Sequence, residues 1–514
     1  MNKKLFIDVF FLVALGIVTS LSLPPVNYLL VNFFTFSAFF IFLIKKLDQH
    51  KNKKVFFIYG WLFGFGYFAT NLYWISISLT FDQNFKFLIP LSIILIPAFL
   101  AIFYGIVSYL FIILKFKKTI SSFFLFSLIF GVIEFIRGSI LTGFPWNLVA
   151  YSFANQLEVL STISILGTYG FNLFCISLFT SPALFILRDK RLDLGVFIFF
   201  LISIILSYIY GSFKKVKFDE TFTQDYNFKV RAVGSNISLD RFYKDVDAAL
   251  IIKDLIKISN PKNEEKMIFV WPEGIIPNIF QGELNQYKEL FDKKFSKNHL
   301  LIIGINRHLE KNGIKTYYNS LAIYDNELKI FKSYDKINLV PFGEFLPFEK
   351  ILNNIGLKPL VNNYESFSSG DQREIIDLNQ LSFSLKILPL ICYEIIYSGK
   401  LFNNYNFDLI LNISEDGWFG QSIGPYQHFT HSIFRAIESG KYVVRSANNG
   451  IAAIINPIGY IENKVDFGKS GYIDLKSYKK IQPTLFSKYG NKIFGLVILL
   501  YIFLIFSFNR IKNE

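Results

Sequence analysis

The sequence predicts two unlike parts: a polytopic α-helical membrane bundle of eight spans, and an α/β domain inserted before the last span. Three observations predict this. Hydrophobic residues make up 52% of the 514 residues, mean hydropathy is +0.38, and charged residues are only 18%, against roughly 25% for an average soluble protein. The apolar residues come in runs of about 20, the length that crosses ~30 Å of hydrocarbon. From residue 212 to about 490 the runs shorten, and β-like stretches alternate with helical ones and with Asn, Gly and Pro turns. An ordinary soluble enzyme, a disordered chain and a disulfide scaffold are all excluded.

The spans run over Leu5–Leu23, Tyr28–Ile44, Val55–Leu79, Phe87–Leu114, Ile120–Ile136, Leu157–Leu187, Leu194–Tyr210 and Ile493–Phe508. The charges between them alternate. One set of loops carries Lys3, Lys4, Lys45, Lys46, Lys51, Lys53, Lys54, Lys115, Lys117, Lys118, Arg188, Lys190, Arg191, Arg510 and Lys512; the other carries little beyond Lys86 and Arg137. The positive-inside rule then makes both termini cytoplasmic. Seven spans precede the inserted domain, which puts it outside the cytoplasm; one span more or fewer would reverse that. The expected domains are 1–211 (seven spans), 212–490 (extracytoplasmic) and 491–514 (the eighth span and a cytoplasmic tail). The first run has no small-residue cleavage site and leads through Pro24-Pro25 into the next, so it reads as an uncleaved span rather than a signal peptide. The net charge of +14 is scattered and flanks apolar runs; it reflects topology rather than nucleic-acid binding.

Within the inserted domain, strands are expected over Phe228–Ile237, Lys266–Trp271, His299–Ile305, Leu381–Cys392, Phe407–Ile413, Tyr442–Ser446 and Ile451–Asn456. Tyr318–Ile323 and Lys329–Ser333 flank Asp325-Asn326-Glu327 as a hairpin. Helices are expected near Lys244–Ser259, Glu283–Lys297 and Gln427–Ser439, with a short one after Cys392.

Three residues in this domain suit chemistry. Cys392 ends an apolar strand and opens a turn, where helix N–H groups lower a thiol pKa and can hold an oxyanion; a buried structural cysteine fits the same pattern. Glu273, in Trp271-Pro272-Glu273-Gly274, is placed as a shielded general base or as a turn residue. Lys336, eight residues before Glu344, is an oxyanion stabiliser or a solvated surface lysine. The two cysteines, Cys175 and Cys392, lie in unlike segments, so no disulfide is expected. His428 and His431, one helical turn apart, read as helix packing rather than a metal site, and no zinc set or phosphate-binding loop is present. In the membrane part, Arg137 to Trp146 reads either as an interfacial belt with a snorkelling arginine or as a lipid headgroup contact. Glu134 lies one turn before Arg137 and can pair with it.

Glu273, Lys336 and Cys392 in this order resemble the Glu–Lys–Cys triad of the nitrilase superfamily. The whole chain resembles the apolipoprotein N-acyltransferase family, in which a nitrilase-like αββα sandwich domain lies between the seventh and eighth spans. The segments that carry the likeness are Arg137-Gly138 through Trp146, Trp271-Pro272-Glu273, Lys336 through Glu344, Cys392-Tyr393-Glu394, Gly417-Trp418-Phe419-Gly420 with Gly424-Pro425, and Arg445 through Gly450. The resemblance implies Glu273 as base, Lys336 as oxyanion stabiliser and Cys392 as nucleophile. It implies supporting roles for Glu344, Tyr393 and Glu394, and lipid contacts for Trp418, Arg137 and Trp146.

The implied reaction moves an acyl chain from a phospholipid to the N-terminal amine of a diacylated apolipoprotein, through a cysteine thioester. It implies no cofactor and no metal, and a monomer in the bacterial inner membrane with a periplasmic catalytic domain. Glu415-Asp416 departs from the family's usual Asn before Asp, Gly234-Ser235-Asn236-Ile237 departs from its Gln-Gly-Asn-Ile-like start, and Phe242 or Tyr243 stands where Trp is usual. The alternatives are a membrane-anchored amidase and a transporter or lipid-binding scaffold.

Overall fold

A computed structural model describes residues 3–510 except 48, 189, 245, 312, 348–365 and 402–404. Lys512, expected in the cytoplasmic tail, lies outside the described residues. The chain divides into a helical unit (Met1–Ser76, Phe87–Lys217 and Thr484–Glu514) and a sheet unit (Ile77–Lys86 and Phe218–Pro483).

Among the described residues, six helices are long and apolar enough to cross a membrane: Val55–Leu72, Phe85–Leu114, Thr119–Arg137, Ile163–Ile186, Arg191–Glu220 and Lys492–Arg510. Helices also cover the first two expected spans, but they fall short of that standard. Lys3–Ser20 carries Lys3, Lys4 and Asp8, and Val31–Leu47 has only 17 residues. A buried Lys46–Asp8 ion pair joins these two helices. The expected span Leu157–Leu187 is broken. It consists of Leu157–Leu160, Ile163–Thr180 and Pro182–Ile186, and inside the middle piece Gly167 adopts φ +68°. Only glycine enters that region without strain. The Val55–Leu79 run likewise stops at Leu72, before the short turn Ile75–Ser78.

Among the described residues, the sheet unit has fourteen strands. They are β1 (Thr223–Ser235), β2 (Met267–Val270), β3 (His299–Gly304), β4 (Arg307–Lys311), β5 (Ile314–Tyr318), β6 (Ser320–Tyr324), β7 (Ile330–Asp335), β8 (Ile376–Asp377), β9 (Lys386–Ile391), β10 (Leu409–Glu415), β11 (Tyr442–Asn448), β12 (Ala452–Ile455), β13 (Ile461–Val465) and β14 (Gly471–Lys479). β4 and β5 form a separate hairpin, and the other twelve make one branched sheet. One run is β7-β6-β3-β2-β1-β14 and the other is β13-β12-β11-β10-β9-β8; they join where Gly234 and Ser235 of β1 pair with Ala447 and Asn448 of β11. Ser446 rivets this junction by donating its hydroxyl to the carbonyls of Val233 (2.7 Å) and Val270 (3.0 Å).

The pairs β2–β3, β1–β2, β1–β11, β10–β11 and β9–β10 are all parallel. β2, β3, β10 and β11 are buried along their whole length, as continuous apolar runs in a covered parallel sheet should be. Val233, Phe269, Trp271, Leu301 and Ile303 pack against Ile251, Ile252 and Leu255 of the helix Ala248–Ser259.

Three expectations change. The helix near Glu283–Lys297 is a 3-10 turn (Gln281–Tyr287) followed by the short helix Lys288–Asp292, with Leu284, Phe291 and Phe295 buried in the core and Tyr287 and Leu290 packed against it. β9 starts at Lys386 rather than Leu381, behind a turn in which Ser382 takes φ +63°. The β4–β5 hairpin, β13 and β14 were not anticipated from the pattern; β13 reads Ile-Glu-Asn-Lys-Val and is exposed over four of its five residues.

The carboxyl ends of the parallel strands carry the residues singled out for chemistry, where α/β folds gather their sites. Gly304, the last residue of β3, lets the chain after β2 pass close by. A Cβ there would lie 2.3 Å from the Pro272 carbonyl oxygen and 2.5 Å from Glu273 Cα. Gly304→Val should therefore displace Glu273 and destabilise the unit by about 1–3 kcal/mol or more. A lowered thermal unfolding midpoint in detergent would show it; an unchanged midpoint would refute this packing.

Candidate active site

Glu273 lies just past β2, Lys336 just past β7 and Cys392 just past β9. All three are buried. Lys336 Nζ donates to Glu273 Oε1 at 3.1 Å and to Glu344 Oε1 at 3.0 Å. Asn319 Nδ2 donates to the same two oxygens, at 2.7 and 2.6 Å. Glu273 Oε2 accepts the Glu415 backbone N–H at 2.9 Å, and Glu344 Oε2 accepts the Val340 N–H at 2.8 Å. Two carboxylates thus face one ammonium, with a shared amide between them. Burial penalises the Lys336 charge, yet Glu273, Glu344 and Cys392 outweigh it and hold the ammonium well above its usual range. Burial pushes Glu344 up, against the pull of Lys336.

Cys392 has φ +48°, a left-handed conformation that costs a non-glycine residue of order 1–3 kcal/mol. Burial, then the nearby Glu273, pushes its thiol well above the usual range; Lys336 opposes them. The group is therefore a thiol at rest. Glu394 pins the turn. Its Oε2 accepts the Ile391 N–H at 2.8 Å, and its Oε1 accepts the N–H groups of Ile337 (3.0 Å) and Asn338 (3.3 Å). Tyr334 and Arg373 also donate to Glu394, at 2.9 and 2.6 Å. One carboxylate thus ties the Lys336 segment to the Cys392 turn. Tyr393 is buried beside Tyr397, edge to face at 5.6 Å.

Beyond Cys392, His428 Nε2 donates to the Cys392 carbonyl at 3.3 Å, and His428 Nδ1 lies 2.8 Å from Asp416 Oδ1. Arg445 donates to both Asp416 oxygens, at 3.0 and 2.8 Å. Asp416 is held at about 2: burial opposes ionisation, but Arg445 and His428 overcome it. Burial pushes His428 down, against Asp416. Among the described residues, no group of three or more His, Cys, Asp or Glu could hold a metal ion.

Trp418 follows β10 and stacks on Phe242 at 5.6 Å, with Phe81 and Tyr243 edge-on at 5.8 and 6.5 Å. Behind it, the departure at Glu415 is answered in place. The Glu415 carboxylate pairs with buried Arg241 and accepts from Asn448 Nδ2 at 2.7 Å and the Gly417 N–H at 2.9 Å.

Arg137 and Trp146 belong to the helical unit. Arg137 is buried, donates to Glu134 and to the Phe144 carbonyl, and lies 5.3 Å from the centre of the Phe68 ring. Trp146 is buried against Trp74 and Phe144. Neither presents an exposed group, and Arg137 packs as one half of a buried ion pair instead of snorkelling.

Residues 15–180 match the apolipoprotein N-acyltransferase N-terminal domain, and residues 255–477 match the carbon-nitrogen hydrolase family. An apolipoprotein N-acyltransferase of Rhizobium leguminosarum bv. trifolii is 33% identical over 477 residues, covering 90% of this chain and 88% of that protein. The chain belongs to the apolipoprotein N-acyltransferase family. A member from Rhodopseudomonas palustris is 31% identical over 93% of this chain and 90% of its own. Among solved structures, Nit3 of Saccharomyces cerevisiae, a nitrilase-superfamily member, is 18% identical with a TM-score of 0.33, over 49% of this chain and 90% of that one. The chain is a bacterial membrane protein with a nitrilase-like sheet domain.

Five polar residues around Glu273, Lys336 and Cys392 escaped the sequence reading. Asn319 sits at the edge of an expected strand, Ser414 ends another, and Asp416, Arg373 and Tyr334 are remote in sequence from what they touch. His428 was read as helix packing; its nearness to Cys392, 36 residues away, has no local signal.

Lys336→Met would leave two buried carboxylates without their cation, at a cost of about 3–5 kcal/mol. Glu344, already pushed up by burial, would lose the opposing pull of Lys336 and be held further above its unfolded value. Such groups stabilise the fold below the unfolded value, and the contribution is lost as pH rises through the folded one. The unfolding midpoint of this variant should lie below the parent's at pH 8 and recover part of the gap at pH 5. A gap that does not change with pH would refute the account.

Proposed function

We propose that this protein transfers an acyl chain from a membrane phospholipid to the N-terminal amine of diacylglyceryl-cysteine apolipoproteins, through a thioester on Cys392. The observation that carries the chemistry is the Lys336 ammonium between Glu273 and Glu344, beside a thiol that is neutral at rest.

A neutral thiol needs a base at the moment of attack. Three donors occupy three of the roughly four lone-pair directions of Glu273, which leaves one on Oε2 for the proton. The Cys392 sulfur attacks the ester carbonyl as Glu273 takes the thiol proton. Lys336 has three N–H groups and two are taken by glutamates, so the third is available to the developing oxyanion. The Tyr393 backbone N–H is the second candidate donor. The ester C–O bond breaks, and Glu273 returns the proton to the departing lysophospholipid. The α-amine of the acceptor then attacks the thioester and passes a proton to Glu273. The C–S bond breaks and the thiol re-forms with that proton.

Glu344 holds Lys336 in place, and Glu394 holds Lys336 and Cys392 in register. Trp418, with Phe242 and Tyr243, offers an apolar surface for the acyl chain. The charge bias of the loops supports an inner-membrane protein with the 212–490 domain on the periplasmic side. It acts as a monomer without cofactor, metal or nucleic acid.

The test uses purified protein in detergent and a phospholipid with a labelled acyl chain. The parent chain should acquire label that neutral hydroxylamine releases, and Cys392→Ser should acquire no such label. Glu273→Gln should slow labelling by about 10²–10⁴-fold. An unlabelled, folded parent chain would remove the phospholipid donor and direct attention to amide hydrolysis.

A further inference from the structure

The Glu–Lys–Cys arrangement leaves unexplained a closed polar network behind the nucleophile. Asp416, Ser414, His428 and Arg445 are all buried, and they converge on Cys392 from β10, β11 and the helix Gly424–Ser439. Arg445 is itself anchored, by Asn412 and by the Ile451 carbonyl, and it fixes Asp416 through contacts to both carboxylate oxygens. Asp416 Oδ1 then serves two neighbours. It accepts the Ser414 hydroxyl at 2.7 Å, and it lies 2.8 Å from His428 Nδ1. The other nitrogen of that ring faces the Cys392 carbonyl at 3.3 Å, and a carbonyl can only accept, so Nε2 carries a proton; burial favours the neutral ring, whose Nδ1 then accepts from Arg445 Nη2 at 3.2 Å. Phe419, edge to face at 5.5 Å, holds the ring in plane. The Ser414 hydroxyl, fixed by Asp416 Oδ1, also acts on the Cys392 thiol by hydrogen bonding and pulls its pKa down, against burial and Glu273.

We propose that Asp416, acting through Arg445 on His428 and directly on Ser414, is a positioning residue that clamps Cys392 at its carbonyl and at its thiol. The proposal rests on reading Cys392 as the nucleophile. A left-handed backbone at Cys392 persists only where its surroundings over-determine it, and His428 supplies the restraint on the carbonyl side. Ser414 acts on the sulfur side. With the thiol at rest its O–H points to Asp416, and its oxygen is left to accept the S–H. When that proton moves to Glu273, the hydroxyl rotates its own hydrogen to the thiolate. Asp416 keeps Arg445 as its partner. No proton leaves Ser414, and the thiolate gains a donor only while it is charged. The charged groups facing the sulfur are Glu273, Lys336 and Asp416, with His428 and Arg445 behind.

The test uses the full chain in detergent. Alkylation of Cys392 by iodoacetamide is followed by peptide mass spectrometry across pH, alongside thioester formation from a labelled phospholipid. Ser414→Ala should slow alkylation at neutral pH by about tenfold and move its midpoint to higher pH, through loss of a hydrogen bond to a charged group; Ser414→Thr should regain most of the reactivity. His428→Leu should form the thioester at least about tenfold more slowly, and His428→Gln, which keeps a donor near the carbonyl, should regain most of it.

A Ser414→Ala profile that superposes on the parent's overturns the thiol arm. His428→Leu acylating at the parental rate overturns the carbonyl arm. Where unfolding midpoints show that His428→Leu does not fold, the Ser414 pair decides. A parent chain that takes no acyl label refutes the nucleophile reading instead, while the alkylation profiles still report on the clamp because they need no substrate.

Discussion

One buried ammonium between two buried carboxylates governs the rest of this site. Lys336 is almost wholly excluded from solvent, and so are Glu273 and Glu344. Charges so placed are tolerated only when paired and hydrogen-bonded. Asn319 and two backbone N–H groups complete that requirement. Together with burial, this arrangement weighs against charge on the Cys392 sulfur, Glu273 outweighing Lys336 there. It therefore disfavours a resting thiolate and favours proton transfer only as an electrophile arrives. A thiol that is not ionised beforehand is protected from oxidants and stray alkylators.

Positions in this site are set by backbone as much as by side chains. Glu394 reads two segments at once, through N–H groups on either side of the gap between Lys336 and Cys392. Glu415 contributes its N–H to the base and its side chain to Arg241. The Arg241 guanidinium lies 4.2 Å from the centre of the Phe242 ring, which stacks on Trp418. The aromatic surface and the base are thus consecutive parts of one packed chain of contacts. The unusual glutamate at 415 is accommodated because an arginine meets it where water cannot.

What could be read in the sequence follows the physics of burial. β2, β3, β10 and β11 are apolar runs bounded by turns, and they were legible because both faces are covered. β13 and most of β14 carry polar residues on open faces and look like loops. Glu273 and Cys392 stood out because each follows such an element, and Lys336 because it leads into the apolar stretch before Glu344. Asn319, Asp416 and His428 did not, since their partners lie 12 to 46 residues away and come near only through the sheet. Arg137 shows the converse: an arginine at the end of an apolar run suggests an interface, yet Glu134 one turn earlier takes it into the interior. The break at Gly167 was hidden because apolar side chains continue on both sides of it.

The branched sheet has a consequence for how activity is acquired. β2 and β7, which deliver Glu273 and Lys336, belong to one six-stranded run; β9 and β10, which deliver Cys392 and the Glu415 N–H, belong to the other. A chain with only the first run formed has the proposed base and no nucleophile. With only the second run formed it has a thiol and no base. Ester-cleaving power therefore arises only when the two halves dock, and a half-built domain beside a membrane full of esters is chemically silent. Completion of the fold is in this sense the switch that arms the enzyme.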